Sequence, residues 1–366
     1  MNDDLHHLEK AFRHKERKEN RQQRQISSAK DRSKFKKTDQ RQKKKRDQAN
    51  AERKLQNPHL KRGRVVAIRS EGIIVSYENT PYQCVLRGIL KKEVHRNKNI
   101  VTVGDWVFFE EVSSGEGAIE HIEERTSTLA RAENLWQKQR QLIAANIDQV
   151  LITMSVVIPP LKPPLIDRYI IASLKGNMKP ILVINKTDLL DENPDEKAYY
   201  DDCLEAYKNA GIQILSVSAS KNEGIDSLKE LMKDRSSVFA GQSGVGKSSL
   251  INLLAGLELA TGDTIDKTKK GAHTTTSAEL LPLPFGGWCI DTPGIKSFGM
   301  WDLDKDDIKN YYPEFSDSAC RFPNCSHIHE PDCSVIQAVE EGVIHPMRYQ
   351  SYCSLYAQLE EEHRPR

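Results

Sequence analysis

The sequence predicts a multidomain α/β protein with three folded domains behind a basic arm. Three observations support this prediction. Short alternating strands separated by glycines run from Gly63 to residue 128, apolar strands alternate with helices over residues 129–305, and three cysteines lie between Cys320 and Cys333. We therefore expect a small β-barrel, a parallel sheet covered by helices, and a metal-binding helical domain over residues 306–366.

Residues 1–62 form the basic arm. They hold 21 Lys/Arg against 9 Asp/Glu, a surplus of 12, whereas the rest of the chain holds 33 against 43, a deficit of 10. Almost no apolar position recurs periodically in the arm, so we expect it to be disordered when unbound. A flexible segment of this charge favours contact with nucleic acid through release of phosphate counterions, and a solubilising tail is the alternative.

The chain opens with "MNDDLHHLEK", which is acidic where a signal peptide is basic. The most apolar stretch, Val150 to Leu161, is too short to span a bilayer and is broken by prolines. We therefore expect a cytoplasmic protein, in which seven cysteines indicate reduced thiols and one metal cluster rather than a disulfide framework. Nothing in the sequence requires more than a monomer.

Residues 63–128 are predicted to form an OB-type barrel. About five short strands, among them "RVVAIRSEGIIVSY" and "NIVTVGDWVFFEEV", occur there at close spacing, which is typical of a small barrel. Barrels of this type bind RNA or DNA, but they also serve as docking modules. The strand pattern alone does not decide between these two roles.

Residues 129–305 have the rhythm of an α/β domain. "VLITMSVV", "PILVIN", "IQILSV" and "SSVFA" predict buried strands, helical segments such as "PLIDRYIIASLKG" lie between them, and "AELLPLPFGGWCID" predicts a strand pair. This alternation predicts a mostly parallel sheet with helices on both faces.

The stretch "GQSGVGKS" matches the phosphate-binding pattern GxxxxGK[ST] and lies between a predicted strand and a predicted helix. Its glycines let backbone N–H groups turn toward phosphate, Lys247 reaches the β and γ oxygens, and Ser248 can ligate Mg²⁺. The predicted phosphate-binding residues are Gly241, Gln242, Ser243, Gly244, Val245, Gly246, Lys247, Ser248 and Ser249.

Downstream, "DTPG" places Asp291 at the end of an apolar strand, where its carboxylate can hold Mg²⁺ through water. Gly294 can direct its N–H to the γ-phosphate. The polar loop "KKGAHTTTSAE" lies between the two phosphate motifs, and one of Thr274 and Thr275 is expected to complete the Mg²⁺ shell. Spacing does not choose between these threonines.

Choice of base is predicted from "NKTD", residues 185–188, just past a buried strand. The Asp188 carboxylate can accept two hydrogen bonds from guanine N1 and N2, the aliphatic part of Lys186 can cover the ring, and Asn185 can tie this loop to the phosphate side. Adenine would leave the carboxylate unpaired, which discriminates against it strongly. "SAS", with Ser218 and Ala219, follows the next strand and can offer a backbone N–H to guanine O6.

The order of these motifs is reversed relative to conventional GTPases, in which the phosphate loop comes first. Joining the usual chain ends and cutting after DxxG gives this order and leaves the sheet contacts unchanged, so we predict a circularly permuted P-loop GTPase domain. With its barrel, permuted GTPase and cysteine-rich tail, the chain resembles the ribosome small subunit-dependent GTPase A family (RsgA, with its members YjeQ and YloQ). The resemblance runs from about Gly63 to the end, and the arm before it is not part of the family's core pattern.

The residue after DxxG is Ile295, where Ras-like proteins have the glutamine that orients the attacking water. An aliphatic side chain cannot do this, so we expect slow intrinsic turnover, in the range of roughly 10⁻⁴ to 10⁻² s⁻¹, until a partner positions the water. His273, beside the threonines, is the nearest candidate. The resemblance implies the same role for it, whereas a solvated surface histidine is the alternative.

In "CRFPNCSHIHEPDC", Cys320, Cys325, His327 and Cys333 offer three thiolates and one imidazole, enough for a closed tetrahedral Zn²⁺ site. Four protein ligands leave no open position, so we expect a structural role. The resemblance implies zinc ligands at these same positions. His329 is an ambiguous neighbour, and the four remaining cysteines are expected to be buried or incidental thiols: Cys84, Cys203, Cys289 and Cys353.

The motifs predict a GTPase, and the resemblance implies that it acts in late assembly of the small (30S) ribosomal subunit, binding rRNA and hydrolysing GTP faster on the subunit. Two alternatives stay open. GTP could only lock an RNA-binding conformation, with hydrolysis incidental, or the arm could act as an RNA chaperone.

Overall fold

The computed structural model describes residues 59–88, 90, 100–132, 140–256, 278–291, 303–316 and 319–362. The chain divides into two units, Met1–Leu60 and Lys61–Arg366, and nearly all described residues belong to the second. The whole basic arm before residue 59 lies outside the described residues. Among the described helices, none combines the length and the apolar character needed to cross a membrane.

The first domain is a closed five-stranded barrel, as predicted. Its strands are β1 (Leu60–Arg69), β2 (Gly72–Tyr77), β3 (Thr80–Leu86), β4 (Trp106–Ser113) and β5 (Glu116–Ile122), arranged in the order β1-β2-β3-β5-β4. β3 and β5 are parallel, and the other registered pairs are antiparallel. Alternate residues point inward, so Val65, Val75, Val107, Phe109 and Ile119 fill the barrel core.

A hairpin that the sequence did not predict follows the barrel. β6 (Thr128–Ala132) and β7 (Arg140–Ala145) form a separate antiparallel sheet. The barrel also contacts the next domain through Arg64, whose guanidinium donates to Asn146 O at 2.8 Å and lies 5.7 Å from the ring centre of Trp288. The barrel is therefore packed against the central sheet rather than merely tethered to it.

The second domain is a six-stranded sheet in the order β10-β9-β8-β11-β13-β12. Its strands are β8 (Gln149–Ser155), β9 (Lys179–Asn185), β10 (Gln213–Ser216), β11 (Ser236–Ala240), β12 (Glu279–Pro282) and β13 (Trp288–Asp291). All neighbours are parallel except β12 and β13, which form the predicted antiparallel pair.

Helices cover both faces of this sheet, as predicted. They are α1 (Pro163–Lys175), α2 (Pro194–Asn209), α3 (Ile225–Met232) and α4 (Lys247–Ala255). Alternate strand residues enter different cores, since Ile152 packs with Ile166 and Tyr200 from α1 and α2, whereas Leu151 packs with Leu228 and Leu250 from α3 and α4. Both faces of the parallel strands are thus buried.

The C-terminal module contains two short 3₁₀ helices, Lys305–Tyr311 and Pro313–Phe315, followed by α5 (Ser334–Glu340) and α6 (Pro346–Glu362). Its core includes Tyr312, Phe315, Tyr352 and Leu355, and it also takes in Ile171 of α1. The module therefore packs directly on a helix of the central domain.

Candidate functional site

The carboxyl ends of the parallel strands bring the predicted nucleotide motifs to one edge of the sheet. β9 ends at Asn185, β11 leads into the loop 241–246 before α4, and β13 ends at Asp291. β10 ends at Ser216, two residues before Ser218. Crevices at this edge are where open α/β sheets bind ligands.

Asn185 joins three of the motifs directly. Its Nδ2 donates to Val245 O at 2.9 Å, and its Oδ1 accepts from Ala219 N at 3.1 Å. The side chain is almost completely buried, and a Cβ added at Gly246 would lie only 2.3 Å from Asn185 Nδ2. Residues 185–188, here called the base-reading loop after their predicted role, are therefore packed against residues 241–246, the phosphate loop, although Asn185 and Val245 are 60 residues apart in the chain.

The phosphate loop itself has the backbone that its glycines predict. Gly241, Gly244 and Gly246 have φ of 148°, 83° and 94°, values that L side chains rarely adopt. A Cβ at Gly241 would lie 2.2 Å from Thr153 O, so the loop also passes close to β8. Lys247 opens α4, and its ammonium donates to Gly241 O at 3.0 Å and to Gln242 O at 2.7 Å.

Lys186 belongs to the base-reading loop, and its side chain reaches the phosphate loop. Its backbone is left-handed, with φ of 65°, and its Nζ donates to Gly244 O and to Ile158 O, both at 2.6 Å. Thr187, between Lys186 and Asp188, donates its hydroxyl to Val217 O at 3.0 Å. These bonds tie the base-reading loop to the phosphate loop on one side and to the strand end before Ser218 on the other.

Asp188 is held by the serines of the "SAS" stretch. Ser218 Oγ donates to its Oδ1 at 2.6 Å, and Ser220 Oγ donates to its Oδ2 at 2.9 Å. The Ser218 hydroxyl, assisted by that of Ser220, lowers the pKa of Asp188 although partial burial works in the opposite direction. A carboxylate offers about four lone-pair positions, so each oxygen keeps room for another donor.

Several predicted residues cannot be placed in this geometry. His273, Thr274, Thr275 and Gly294 lie outside the described residues, as does Ile295, and Asp291 is described by its backbone alone.

Gln242 in the phosphate loop has a buried amide nitrogen, Nε2, which lacks a hydrogen-bond partner among the described residues. Ser243 lies within the phosphate loop, whereas Ser248 and Ser249 lie in the first turn of α4.

Sequence reasoning missed Ser155, Ile158 and Pro159, which form the other side of the Lys186 contact. Ser155 Oγ donates to Pro159 O at 2.6 Å, and Ile158 O is an acceptor for Lys186. No motif marks these residues, because a serine at a strand end and a proline in a turn are common in any α/β domain.

A second candidate site lies in the C-terminal module. The ligand atoms of Cys320, Cys325, His327 and Cys333 all lie within 4.8 Å of one another, an arrangement that can hold one metal ion. His327 Nδ1 is 3.5 Å from Cys320 Sγ and 3.4 Å from Cys333 Sγ, and the two sulfurs are 3.9 Å apart. His329 is exposed and does not belong to this group.

The surroundings of two of the four clustered residues, His327 and Cys320, favour the protonation states that bind metal, whereas burial raises the pKa of the Cys325 thiol to about 12. Burial lowers the pKa of His327, which favours the neutral imidazole. Burial of Cys320 opposes its ionisation, but hydrogen bonds from Ser334 lower its pKa to about 7. Tyr349 and Tyr352 of α6 donate to the carbonyls of His327 and Ser326, so the helix fixes the ligand loop.

The other four cysteines, by contrast, take no part in the cluster. Cys84, Cys203 and Cys289 are buried, and Cys353 is partly buried in α6.

Comparison with known proteins gives one consistent result. The family model described as RsgA GTPase matches residues 122–301. The "Small ribosomal subunit biogenesis GTPase RsgA" of Chlorobaculum parvum is 43% identical over 278 residues, which cover 73% of this chain and 88% of that protein. The protein of the same name from Bacteroides fragilis is 40% identical over 283 residues, covering 76% and 90%.

Two solved structures are similar throughout their length. YjeQ from Thermotoga maritima is 34% identical with a TM-score of 0.69, and the match covers 84% of this chain and all of that one. YloQ, described as a circularly permuted GTPase, is 29% identical with a TM-score of 0.67, covering 85% of this chain and 98% of that one.

Proposed function

The chain belongs to the RsgA family of GTPases, and from this premise we propose that it hydrolyses GTP at the edge of the central sheet while bound to the assembling small ribosomal subunit. One observation carries the proposal. Asn185 bonds both to Val245 of the phosphate loop and to Ala219 of the "SAS" stretch, so a base and its phosphates can be held in one continuous pocket. Motifs that are distant and reversed in the chain are thereby adjacent in space.

The nucleotide would be held from its two ends. Asp188 would accept guanine N1–H and N2–H on the lone pairs that Ser218 and Ser220 leave available. The backbone N–H of Ala219 is already donated to Asn185 Oδ1, so a hydrogen bond to guanine O6 would require that N–H to be shared or another N–H of the "SAS" stretch to be used. The N–H groups of the loop 241–246 and the N-terminus of α4 face the phosphates, and Lys247 supplies the positive charge.

Mg²⁺ bound with GTP would neutralise charge on the β- and γ-phosphates. Ser248 at the start of α4 and Asp291 at the end of β13 are the proposed ligands, directly or through water, and Thr274 or Thr275 would complete the set. β11 and β13 are parallel neighbours, which brings the start of α4 and Asp291 to the same strand ends.

Water activation is assigned to His273, because Ile295 offers no polar atom for it. A group that is positioned only in the presence of the ribosomal subunit would make hydrolysis depend on that partner. The subunit's RNA phosphates suit the basic arm, and the barrel and the C-terminal module offer two further contacts flanking the GTPase domain. A protein with this partner would work in the cytoplasm, and the proposed acting form is a monomer.

The decisive experiment is GTP turnover by the full chain with and without purified small ribosomal subunits, with Lys247→Ala as the control for contaminating nucleotidases. We expect at least about tenfold stimulation of the wild-type protein and none of the variant. Tight GTP-dependent binding to subunits without stimulation would instead support a GTP-gated RNA-binding module. Subunit binding of the same strength with and without nucleotide would support an RNA chaperone.

We further propose that the Cys₃His cluster holds one structural Zn²⁺. A tetrahedron with Zn–S bonds of about 2.3 Å and a Zn–N bond of about 2.0 Å has S···S edges of about 3.8 Å and S···N edges of about 3.5 Å. The corresponding separations of 3.9, 3.5 and 3.4 Å fit that geometry. Purified wild-type protein should contain about one zinc per chain and Cys325→Ser much less, with Cys353→Ser as the matched control. Equal zinc in the wild type and Cys325→Ser would refute the assignment.

A further inference from the structure

The turn between β8 and α1, residues 156–160, lies beside the proposed nucleotide pocket. It follows Ser155, the completely buried last residue of β8. The Ser155 hydroxyl donates a hydrogen bond of 2.6 Å to the carbonyl of Pro159. Because this bond spans the turn, it restricts where the carbonyl of Ile158, one residue earlier, can lie.

That carbonyl is one of two acceptors for the Lys186 ammonium. Lys186 Nζ donates at 2.6 Å to Ile158 O and at 2.6 Å to Gly244 O. The turn, the base-reading loop and the phosphate loop therefore meet at a single charged group. Hydrogen bonds from a charged donor are roughly twice as strong as neutral ones, so the position of Ile158 O affects how firmly Lys186 is held.

The turn also lies beside the phosphate loop at Gly244. A Cβ added at Gly244 would lie 3.7 Å from Pro159 Cδ, an ordinary van der Waals separation. Pro159 thus accepts the Ser155 hydrogen bond through its carbonyl and faces the phosphate loop with its ring. A displacement of Pro159 would disturb both contacts at once.

We propose that Ser155 is a positioning residue for guanine-nucleotide binding, acting through Pro159 and the carbonyl of Ile158 on Lys186. This inference rests on the proposed function, because it assumes that Lys186 covers a bound guanine. Ser155 lies opposite Asn185 in the register of β8 and β9, but its hydroxyl is bonded to Pro159 O rather than to a predicted nucleotide-binding side chain. Its hydroxyl instead fixes the turn, and the turn holds the ammonium of Lys186 so that its aliphatic stem stays over the base.

The test measures dissociation of GDP carrying a fluorescent label on the ribose from the full-length protein. Ser155→Ala should release it about fivefold to tenfold faster, the effect expected from loss of one positioning hydrogen bond. Ser173→Ala is the matched control, because Ser173 is also completely buried and donates at 2.6 Å to a carbonyl four residues away, Tyr169 O, but within α1. Its rate should stay within about twofold of wild type.

A double-mutant cycle tests the route. Lys186→Met removes the ammonium and keeps an aliphatic stem, so Ser155→Ala should have almost no further effect in that background. Additive effects would overturn the route through Lys186. Ser155→Thr and Ser155→Val provide a nearly isosteric pair if the alanine variant does not fold, and only the threonine, which keeps the hydroxyl, should retain slow dissociation.

The outcomes separate this inference from the proposed function. No GDP binding by the wild-type protein would overturn both together. Tight wild-type binding with unchanged dissociation from Ser155→Ala, or equal rates for the threonine and valine variants, would overturn the role of Ser155 alone.

Discussion

Removal of Arg348 should strongly destabilise the junction between the central domain and the C-terminal module. Arg348 in α6 is 2% exposed, forms ion pairs with Asp167 of α1 and Glu314, and lies 4.5 Å from the ring centre of Tyr312. Although burial works in the opposite direction, the two carboxylates raise the pKa of Arg348, so it stays charged. Arg348→Met removes this charge and keeps most of the packing volume.

The size of the effect follows from what would be left behind. Asp167 is 1% exposed, and without Arg348 its carboxylate would keep the hydrogen bond from Tyr312 Oη at 3.0 Å but would lose its counter-ion. Removing one partner of a buried pair costs about 3–5 kcal/mol. The double substitution Asp167→Asn with Arg348→Met removes the uncompensated charge on α1 but leaves Glu314, whose side chain is 12% exposed, without Arg348, so it should recover part of that loss.

Urea unfolding followed by circular dichroism measures these differences in the free energy of unfolding. Arg321→Met is the matched control, because Arg321 pairs with Asp332 at 3.4 Å while both side chains are more than 70% exposed. Exposed pairs of this kind contribute about 0–1 kcal/mol. A loss for Arg348→Met no larger than that of the control at pH 7 would refute the reasoning.

The pH dependence gives a second check with a definite sign. Burial raises the pKa of Asp167, and Arg348 only partly offsets this. Without Arg348 the folded-state pKa rises further, so the folded state takes up a proton more readily than the unfolded chain as the pH falls from neutrality. The deficit of Arg348→Met should therefore be smaller at pH 5 than at pH 7. A deficit that grows on acidification would contradict the assignment.

Two further predictions concern the nucleotide site. Gly246→Ala should abolish GTP binding in calorimetric titration, because the added Cβ would lie 2.3 Å from Asn185 Nδ2 and the backbone φ of 94° disfavours a side chain. Gly256→Ala is the control, since Gly256 also has a positive φ, of 64°, but has nothing within 4 Å of an added Cβ. This control should lower the free energy of unfolding by only about 1–2 kcal/mol and leave GTP binding intact. His273→Ala should leave GTP affinity nearly unchanged and remove most subunit-stimulated hydrolysis. Stimulated rates equal to those of the wild type would show that His273 does not activate the attacking water.

The sequence predicted the central sheet well because its signals are local. Each parallel strand is a short apolar run, as in "VLITMS" and "SSVFA", and each is followed by a helix with apolar residues on one side. The hairpin of β6 and β7 escaped prediction because its strands, "TLARA" and "RQLIAA", are short and only weakly alternating. Their pairing depends on tertiary contacts that the sequence pattern does not reveal.

The candidate nucleotide site likewise contains motifs that the sequence predicts and contacts that it does not. Gly241–Ser248 and "NKTD" were recognisable because the chemistry of phosphate and guanine demands particular residues at fixed spacing. Ser220 lies in the "SAS" stretch, but the sequence does not predict its bond to Asp188 Oδ2, since that bond depends on how two loops 32 residues apart approach each other.

Asp167 and Arg348 form a buried ion pair that the sequence does not predict. They are 181 residues apart, and each is a polar residue in a helix, where the ordinary expectation is exposure to solvent. Only the packing of α6 on α1 makes them a buried pair, and that packing also draws Ile171 into the core of the C-terminal module. A period of 3.6 residues identifies each helix but not its partner. The contact that joins the two domains therefore depends on information that neither helix carries alone.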